Sequence, residues 1–251
     1  MLTIVLQVPF KYKSNFNRMK NFTSFHFKLI TLFVLIAVTT LTSCKKAETV
    51  DPSISYLRVI NASPSLATYN AYFNGNMVNS AALPFGGTIN YLSYAAGTYS
   101  LKFTTASSAE SLLTKNVTLN AGTYYSSYLI NKPGALDVYT IGDDLSIPSA
   151  DKAYIRFINL SPDATALDLA KTGATTMLVT NKAYKTASGF IAVDAGTYTV
   201  DAKETSSGSV KATSASTSFV AGYHYDIICG GLVTPANDTE RPLSLQVVMI
   251  K

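Results

Sequence analysis

Hydrophobic and polar residues alternate with a period of two along the greater part of the chain. Leu57 and Val59 alternate with Arg58, and further on Tyr99 and Leu101 fall on one face of a segment. A period of two is that of a β-strand with one buried face. After residue 44, no segment carries an apolar stripe with helical spacing over three turns. The pattern predicts an all-β chain.

Turn signals divide these predicted strands. Most contain glycine, which allows the positive φ that tight turns need. The turns leave room for strands of about five to eight residues between them. They are Asn74-Gly75-Asn76, Gly86-Gly87, Ala96-Gly97, Ala121-Gly122 and Pro133-Gly134. About seven or eight short strands per hundred residues favour an immunoglobulin-like β-sandwich.

The strand pattern occurs twice along the chain. The segment Tyr-Leu-Arg-Val-Ile-Asn-Ala-Ser-Pro at 56–64 returns as Tyr-Ile-Arg-Phe-Ile-Asn-Leu-Ser-Pro at 154–162. Ala-Gly-Thr-Tyr at 96–99 returns at 195–198, and the offsets between such landmarks stay between 98 and 100. Collinear landmarks over this distance indicate tandem copies of one fold rather than a solenoid of short repeats.

We therefore predict two tandem immunoglobulin-like β-sandwich domains, at residues 54–142 and 152–251. Each is long enough to bury a core of its own. Residues 143–151 between them are polar and contain Pro148. We expect this linker to act as a short hinge.

The N-terminal 43 residues follow a different pattern. Lys20 and Lys28 precede an apolar run at 29–38, which is too short to span a bilayer but has the length of a signal-peptide core. Small residues follow, in the sequence Leu-Thr-Ser-Cys that ends at Cys44. This arrangement predicts a lipoprotein signal peptide at 1–43. An ordinary secretory signal with a chance cysteine is the alternative.

The predicted signal peptide makes Cys44 the expected lipidation site, since its thiol would carry the lipid in the lipoproteins that this leader resembles. Residues 44–53 would form a flexible tether. Residues 1–18 add a second basic segment that such a signal does not need. We therefore expect Met19 to be the true start.

Charge and cysteine content narrow the classes of function. The chain has 20 basic and 15 acidic residues, but five of the basic ones lie before Cys44 and every acidic residue lies after it. The predicted mature chain is therefore neutral. Apart from Lys45 and Lys46 it has no basic cluster of the kind that binds nucleic acid. With Cys44 acylated, Cys229 has no cysteine to pair with, so no internal disulfide is expected.

Catalytic and metal-binding patterns are sparse in the predicted mature chain. His224 shares a strand face with Asp226, so a hydrolase is one hypothesis, although no Gly-x-Ser-x-Gly motif accompanies it. Asp143, Asp144 and Asp151 could offer oxygen ligands to calcium, but their spacing does not match an EF-hand loop. We predict no metal, no cofactor and no enzymatic activity.

Tyrosine is in excess. Ten of the 15 tyrosines after Cys44 lie in the first predicted domain, and a tyrosine combines a flat apolar face with a hydroxyl, which suits sugar and protein surfaces. Alternation places Tyr124 and Tyr128 on one strand face, and Tyr94 lies near a turn. Tyr94, Tyr124 and Tyr128 are therefore possible ligand contacts. The alternative is that they fill sandwich positions, where aromatic residues are common.

Several motifs of the first repeat occur together in one bacterial family. They are Tyr-Leu-Arg-Val-Ile-Asn-Ala-Ser-Pro at 56–64, Leu-Pro-Phe-Gly at 83–86, Tyr91, and Ala-Gly-Thr-Tyr at 96–99. In these motifs the chain resembles domain-of-unknown-function family 4397. The second repeat departs from the pattern, with Lys-Ala-Tyr-Lys at 182–185. The resemblance implies an envelope or extracellular β-sandwich module without established catalytic residues.

The sequence as a whole predicts a non-catalytic, lipid-anchored cell-envelope protein that binds or displays at the cell surface or in the periplasm. We expect the outer membrane of a Gram-negative bacterium, because residue 45 is not the aspartate of an inner-membrane retention signal. Expected partners are the membrane, through the lipid anchor, and a polysaccharide or an envelope protein, but no nucleic acid. The alternatives are a glycan-binding accessory protein of a polysaccharide uptake system and a hydrolase using His224.

Overall fold

The structure is a computed structural model that describes residues 53–250. Within that range, the regular elements are all strands. The prediction of an all-β chain is therefore confirmed. None of the described residues forms a helix that could cross a bilayer. The signal peptide at 1–43, its lipidation site Cys44, the start at Met19 and nearly all of the tether at 44–53 lie outside the described residues.

The first repeat is a sandwich of two four-stranded sheets, β4-β1-β7-β8 and β3-β2-β5-β6. Its strands are β1 (Ile54–Asn61), β2 (Tyr69–Phe73), β3 (Asn76–Met77), β4 (Thr88–Ala95), β5 (Gly97–Thr105), β6 (Leu113–Leu119), β7 (Tyr124–Ile130) and β8 (Asp137–Asp143). Strand β1 runs parallel to β7, with Leu57 beside Tyr125, while the other pairs are antiparallel. The core between the sheets includes Leu57, Val59 and Leu101.

The second repeat builds the same arrangement from shorter pieces. Its strands are β9 (Lys152–Asn159), β10 (Leu167–Lys171), β11 (Met177–Lys182), β12 (Thr186–Ala187), β13 (Ile191–Asp194), β14 (Gly196–Tyr198), β15 (Val200–Glu204), β16 (Val210–Thr213), β17 (Thr217–Phe219), β18 (His224–Gly230) and β19 (Ser244–Met249). One sheet has the order β12-β9-β18-β19, with β13 also pairing with β9, and the other has the order β11-β10-β15-β16. A small sheet joins β14 to β17. The prediction of two β-sandwiches is confirmed.

The internal repeat is visible in strand register. Strand β9 runs parallel to β18 with Ile155 beside Tyr225, as Leu57 lies beside Tyr125 in the first sandwich. The turn before each of these parallel strands contains a glycine at positive φ, Gly122 in one repeat and Gly222 in the other. That backbone region is strained for residues with a Cβ. The repeated Ala-Gly dipeptide therefore marks the same turn in both repeats.

Each sandwich has an inner sheet face, which lines its own core, and one outer sheet face that is also buried. In β1, Leu57 and Val59 point into the first core, whereas Ile60 belongs to a third apolar cluster. This cluster draws on both repeats and includes seven buried residues: Ile60, Ala62, Tyr128, Ile130, Ile158, Leu160 and Ile228. All seven are fully shielded from solvent. The sheet β4-β1-β7-β8 therefore packs against the sheet β12-β9-β18-β19.

This packing corrects the expectation of a hinge. Strand β8 ends at Asp143 and β9 begins at Lys152, so a short connection joins two sandwiches that already share a buried surface. The connection is itself attached, since the Ser149 amide donates to the Tyr154 hydroxyl at 2.6 Å. A hinge needs few contacts across it. The structure instead describes two sandwiches held against each other.

Candidate functional site

Four charged side chains are enclosed where the two sandwiches meet. Arg58 on β1 and Asp143 on β8 come from the first repeat, and Arg156 on β9 and Asp226 on β18 come from the second. Each is at most 6% exposed. Buried charges are costly unless they are paired and hydrogen-bonded. We call these four residues the ionic cluster.

The members of the ionic cluster pair across the boundary between repeats. Arg58 bonds to the Asp226 carboxylate, which is also 2.8 Å from the Arg156 Nε. Arg156 Nη2 lies 2.7 Å from the Asp143 Oδ1. The Arg58 Nε donates to the Ser126 hydroxyl at 2.7 Å, and that hydroxyl donates to Asp143 at 2.7 Å. Two positive and two negative charges therefore close into one neutral network.

Two tyrosine hydroxyls also donate to the carboxylates of the ionic cluster. Tyr128 donates to Asp226, and Tyr91 donates to Asp143 at 2.6 Å. Burial raises the pKa of Tyr128 and the Asp226 carboxylate raises it further, so the phenol stays protonated. The same two causes, with Asp143 as the carboxylate, raise the pKa of Tyr91. These hydroxyls are therefore hydrogen-bond donors rather than acids.

The arginines of the ionic cluster remain charged. Burial by itself lowers the pKa of Arg58 and Arg156, but the surrounding carboxylates and phenols, Asp226 foremost, together more than offset burial, so the pKa of both arginines rises. Each carboxylate already accepts several bonds, and each arginine is paired. The chemistry that this arrangement performs is therefore structural: it fixes the position of one sheet against the other.

His224 and Asp226, the pair considered for a hydrolase, both lie inside this interface. Asp226 is fully buried, and its carboxylate is bound by two arginines. His224 is 1% exposed, and its Nε2 lies 3.0 Å from the Ser146 carbonyl. A substrate in solvent reaches neither group in this arrangement. The geometry gives no support to a hydrolase at this site.

The prediction that Tyr128 contacts a ligand is wrong. Tyr128 is fully buried, because the outer sheet face that carries it packs against the second sandwich. Its hydroxyl is used by Asp226. The strand alternation correctly put Tyr124 and Tyr128 on one face, but that face is mostly covered. Tyr124 lies nearer the end of the strand and is half-buried.

Tyr124 belongs to a group of three rings on the outer face of the first sandwich. It stacks on Tyr56 with centroids 4.4 Å apart and meets the edge of Tyr91 at 5.0 Å. The guanidinium of Arg58 lies 5.7 Å from the centre of the Tyr91 ring. All three tyrosines are half-buried. We call Tyr56, Tyr91 and Tyr124 the tyrosine trio.

The second sandwich carries the counterpart of this trio. Tyr154 stacks on His224 at 4.9 Å, and Phe190 meets the edge of the same imidazole at 4.9 Å. The Arg156 guanidinium lies 4.5 Å from the centre of the Phe190 ring. Here the connection between sandwiches contributes Ser146 and Ser149 as hydrogen-bond partners. His224 thus occupies the position of Tyr124 as a packing residue.

Tyr94, another possible contact, lies on β4 like Tyr91, but its ring faces the core of the first sandwich. It is half-buried and packs against the first core. Its ring centroid is 4.2 Å from that of Phe73 and 5.8 Å from that of Tyr99. Tyr94 and Tyr124 therefore belong to separate ring groups, and the structure does not join the three predicted contacts into one surface.

The remaining candidate ligands have other partners. Asp143 is in the ionic cluster, Asp144 accepts from the Ser146 amide at 3.1 Å, and Asp151 accepts from the Ser149 hydroxyl. Within residues 53–250, no three His, Cys, Asp or Glu side chains are grouped to hold a metal ion. Burial raises the pKa of the Cys229 thiol to about 12, which keeps it neutral.

The sequence analysis missed the two arginines of the ionic cluster. A signal was present: Arg58 and Arg156 occupy the same position of the repeated strand, each flanked by apolar residues. An arginine repeated at the centre of an apolar strand indicates either an exposed face or a buried partner. The carboxylate partner of Arg58 lies 168 residues away along the chain, and sequence spacing does not identify such a partner.

Comparison with known proteins finds a family model that matches the first repeat and the beginning of the second. Residues 55–170 match the family model described as "Domain of unknown function (DUF4397)". The match confirms the family predicted from the motifs of the first repeat and extends into the second repeat as far as β10. No curated protein matches the chain.

One solved structure similar to this chain is titled "Crystal structure of CBMbc (family CBM26) from Eubacterium rectale Amy13K in Complex with Maltoheptaose". The two are 9% identical, and the alignment covers 77% of this chain and 95% of that one, with a TM-score of 0.25. At that score the likeness assigns neither a fold nor a ligand to this chain.

The ionic cluster predicts a large stability effect at Asp226. In Asp226→Asn, Arg58 and Arg156 lose the negative charge between them, so we expect the free energy of unfolding to fall by about 3–5 kcal/mol. Urea denaturation measures this change. Asp194→Asn is the matched control: it breaks a 2.7 Å ion pair with Lys152 at the surface, and it should change stability little. Equal losses in the two variants would contradict the structural role of the cluster.

The ion pairs of Asp137 predict how the free energy of unfolding changes at acidic pH. Its carboxylate pairs with Lys115 at 2.5 Å and with Lys185 of the second sandwich at 2.7 Å. Burial raises its pKa, but the two lysines outweigh burial and lower it to about 2. In the unfolded chain the same carboxyl takes up its proton near pH 4. Its stabilising contribution is therefore complete above about pH 4 and is lost as the pH falls towards 2.

Asp137→Asn removes this titration. The variant should lose less unfolding free energy than the wild type between about pH 4 and pH 2, measured by denaturation at each pH. Glu110→Gln, in an exposed turn, is the control and should keep the wild-type slope. The same slope in Asp137→Asn and in the wild type would show that these ion pairs do not contribute.

Proposed function

We propose that this chain is a non-catalytic, lipid-anchored protein of the cell envelope, in which two β-sandwiches act as one binding or display unit. The observation that carries the proposal is the ionic cluster. It fixes the two sandwiches against each other and encloses His224 and Asp226, the pair most suited to acid–base chemistry. An enzyme needs such groups in an accessible cleft.

A fixed arrangement of two sandwiches suits recognition. Preorganised surfaces lose less conformational entropy on binding than surfaces joined by a free hinge. Apolar side chains of both repeats, including Ile60 and Ile158, are fully buried between the sandwiches. Their loop ends and free edges therefore keep one relative position, which two flexibly linked domains would not provide.

The anchor is proposed from the leader. The apolar run at 29–38, the small residues after it and Cys44 follow the lipoprotein pattern. The partner at that end of the chain would be the membrane, at the outer membrane of a Gram-negative bacterium.

Replacing the proposed lipidated thiol tests the anchor. In Cys44→Ser, expressed in a Gram-negative host, we expect loss of radiolabelled palmitate from the protein and a shift from the membrane fraction to the soluble envelope fraction. Cys229→Ser is the matched control, because it removes the buried thiol and should leave labelling unchanged. Label retained in Cys44→Ser would exclude this lipidation site.

A glycan-binding accessory role is the second candidate, and the tyrosine trio favours it. Tyr56 and Tyr124 stack in near-parallel planes, 10° apart, on an outer sheet face. Aromatic faces are common contacts for the C–H faces of sugars, and their hydroxyls add directed hydrogen bonds. A polysaccharide would be the partner on this reading, with Tyr124 as a contact residue. Tyr94 lies in the other ring group and would contact a separate surface.

Retention on immobilised polysaccharides tests this second role. If the trio binds a glycan, Tyr124→Ala should reduce retention of the full chain by about two- to tenfold, since one stacked aromatic contact is worth about 0.5–1.5 kcal/mol. The control is Tyr223→Ala, at a tyrosine that is 43% exposed and belongs to neither ring group. Undiminished retention in Tyr124→Ala would exclude the trio as the glycan site.

A further inference from the structure

A cleft opens at the edge of the second sandwich, away from the ionic cluster. It holds a volume of about 250 Å³. The cleft lies where β13, an edge of one sheet, faces β11, an edge of the other. Its lining combines apolar and charged residues: Lys152, Lys171, Leu178, Ala192, Val193, Asp194 and Tyr198. We call this the β11–β13 cleft.

In the first sandwich, packed aromatic rings occupy the equivalent place. The register of the repeat matches Phe73 to Lys171, since Phe73 pairs with Leu101 on β5 and Lys171 pairs with Val200 on β15. In the first sandwich Phe73 packs on Tyr94 at 4.2 Å and on Tyr99 at 4.9 Å. These three rings form a plug.

The second repeat keeps one ring of this plug and loses two. Tyr99 corresponds to Tyr198, whose hydroxyl donates to the Asp194 carbonyl at 3.1 Å, as the hydroxyl of Tyr99 does to the Ala95 carbonyl. Tyr94 corresponds to Val193, and Lys171 replaces Phe73. The Lys171 ammonium lies 4.4 Å above the centre of the Tyr198 ring. Replacement of two rings by a valine and a lysine leaves the cleft.

Beside this cleft, the second repeat has charged residues where the first repeat has apolar ones. Ile54 pairs with Ala95 in the first sandwich, and the matching pair in the second is Lys152 with Asp194. The Lys152 ammonium lies 2.7 Å from the Asp194 carboxylate, so those two charges balance. No carboxylate among residues 53–250 forms an ion pair with Lys171. Lys171 also helps Lys152 to lower the pKa of Asp194. The lining of the cleft therefore carries two positive charges and one negative charge beside apolar side chains.

We propose that the β11–β13 cleft binds one sugar unit that carries a carboxylate, a uronic acid. The ligand carboxylate pairs with the Lys171 ammonium. Its hydroxyls bond to Asp194 and Lys152, and its C–H face lies on Leu178 and Val193. This site deepens the proposed binding function by naming a ligand class, and it is independent of the lipid anchor and of the tyrosine trio.

The size of the cleft fits a single sugar ring. Sites for drug-sized ligands usually enclose about 300–1,000 Å³, and about 250 Å³ falls just below that range. At ~30 Å³ per water molecule, the same space holds about eight waters. Charged and hydroxyl groups of a uronic acid can replace the hydrogen bonds of such waters, whereas an apolar ligand would leave the Lys171 ammonium without that replacement.

Titration of the full-length protein in mild detergent with glucuronate tests the site. Isothermal calorimetry or chemical-shift changes report the binding. We expect saturable binding of glucuronate, at least about tenfold weaker binding of neutral glucose, and no comparable binding of inorganic phosphate, because a charge-assisted bond to Lys171 and the hydroxyl contacts both contribute. Equal binding of glucose or of phosphate would overturn the uronic-acid assignment.

Two variants locate the binding. Lys171→Gln keeps the cleft open and removes one of its two positive charges, so glucuronate should bind about tenfold more weakly. The double variant Lys171→Phe and Val193→Tyr installs the rings of the first sandwich and should abolish binding. Its unfolding transition should remain cooperative, because the same plug already packs in the other repeat.

Lys102→Gln is the matched control, because the Lys102 ammonium lies 4.3 Å above the Tyr72 ring in the first sandwich, away from the cleft. It should leave glucuronate binding unchanged. Wild-type affinity in both Lys171 variants would overturn the proposal. That result would leave the anchored display function standing, since its test is palmitate labelling at Cys44.

Discussion

The structure depends on four charges that neither sandwich could bury alone. Arg58 and Asp143 of the first repeat and Arg156 and Asp226 of the second are paired across the boundary and shielded from water. Such a network contributes less net stability than its short distances suggest, because desolvation offsets most of the attraction. Its main effect is on specificity: other packings of the two outer faces would leave an arginine or a carboxylate buried without a partner. Apolar contacts such as Ile60 with Ile158 bury area, and the ionic cluster decides the register in which they do so.

Period-two alternation, glycine-containing turns and repeated motifs were enough to predict the strands, the turns and the tandem repeat, because these depend on residues that are close in sequence or related by the repeat. These patterns could not reveal that an outer face of each sandwich is buried too. An alternating strand shows the same pattern whether its second face meets water or another sheet, and Ile60 and Ile130 on that face were the available hint. Tyr128 was wrongly expected to contact a ligand for this reason. The partnership of Arg58 with Asp226 depends on a separation of 168 residues, which no local pattern encodes.

The two repeats share the same arrangement of strands and aromatic pairs but differ in the side chains at one edge. Each has an aromatic pair stacked beside a buried arginine, Tyr56 with Tyr124 in one and Tyr154 with His224 in the other. This arrangement is retained where the sandwiches meet. At the far edge it has diverged, since the rings around Phe73 give way to an open, charged cleft around Lys171. In a duplicated domain, the residues of a surface that must keep its partner are retained. The residues of a surface without that partner can change, as they have at the free edge of the second sandwich.

The parallel pairing of β1 with β7, and of β9 with β18, sets the order in which the chain can fold. Strand β1 must wait for β7, nearly the whole length of its own repeat, and the arginine that it carries must wait for β18, close to the end of the chain. Contacts over such separations make folding slow. Throughout that interval the apolar outer face of the first sandwich stays open, with Arg58 still solvated. Folding of this protein therefore leaves an apolar face in need of protection for longer than the small size of each sandwich would suggest.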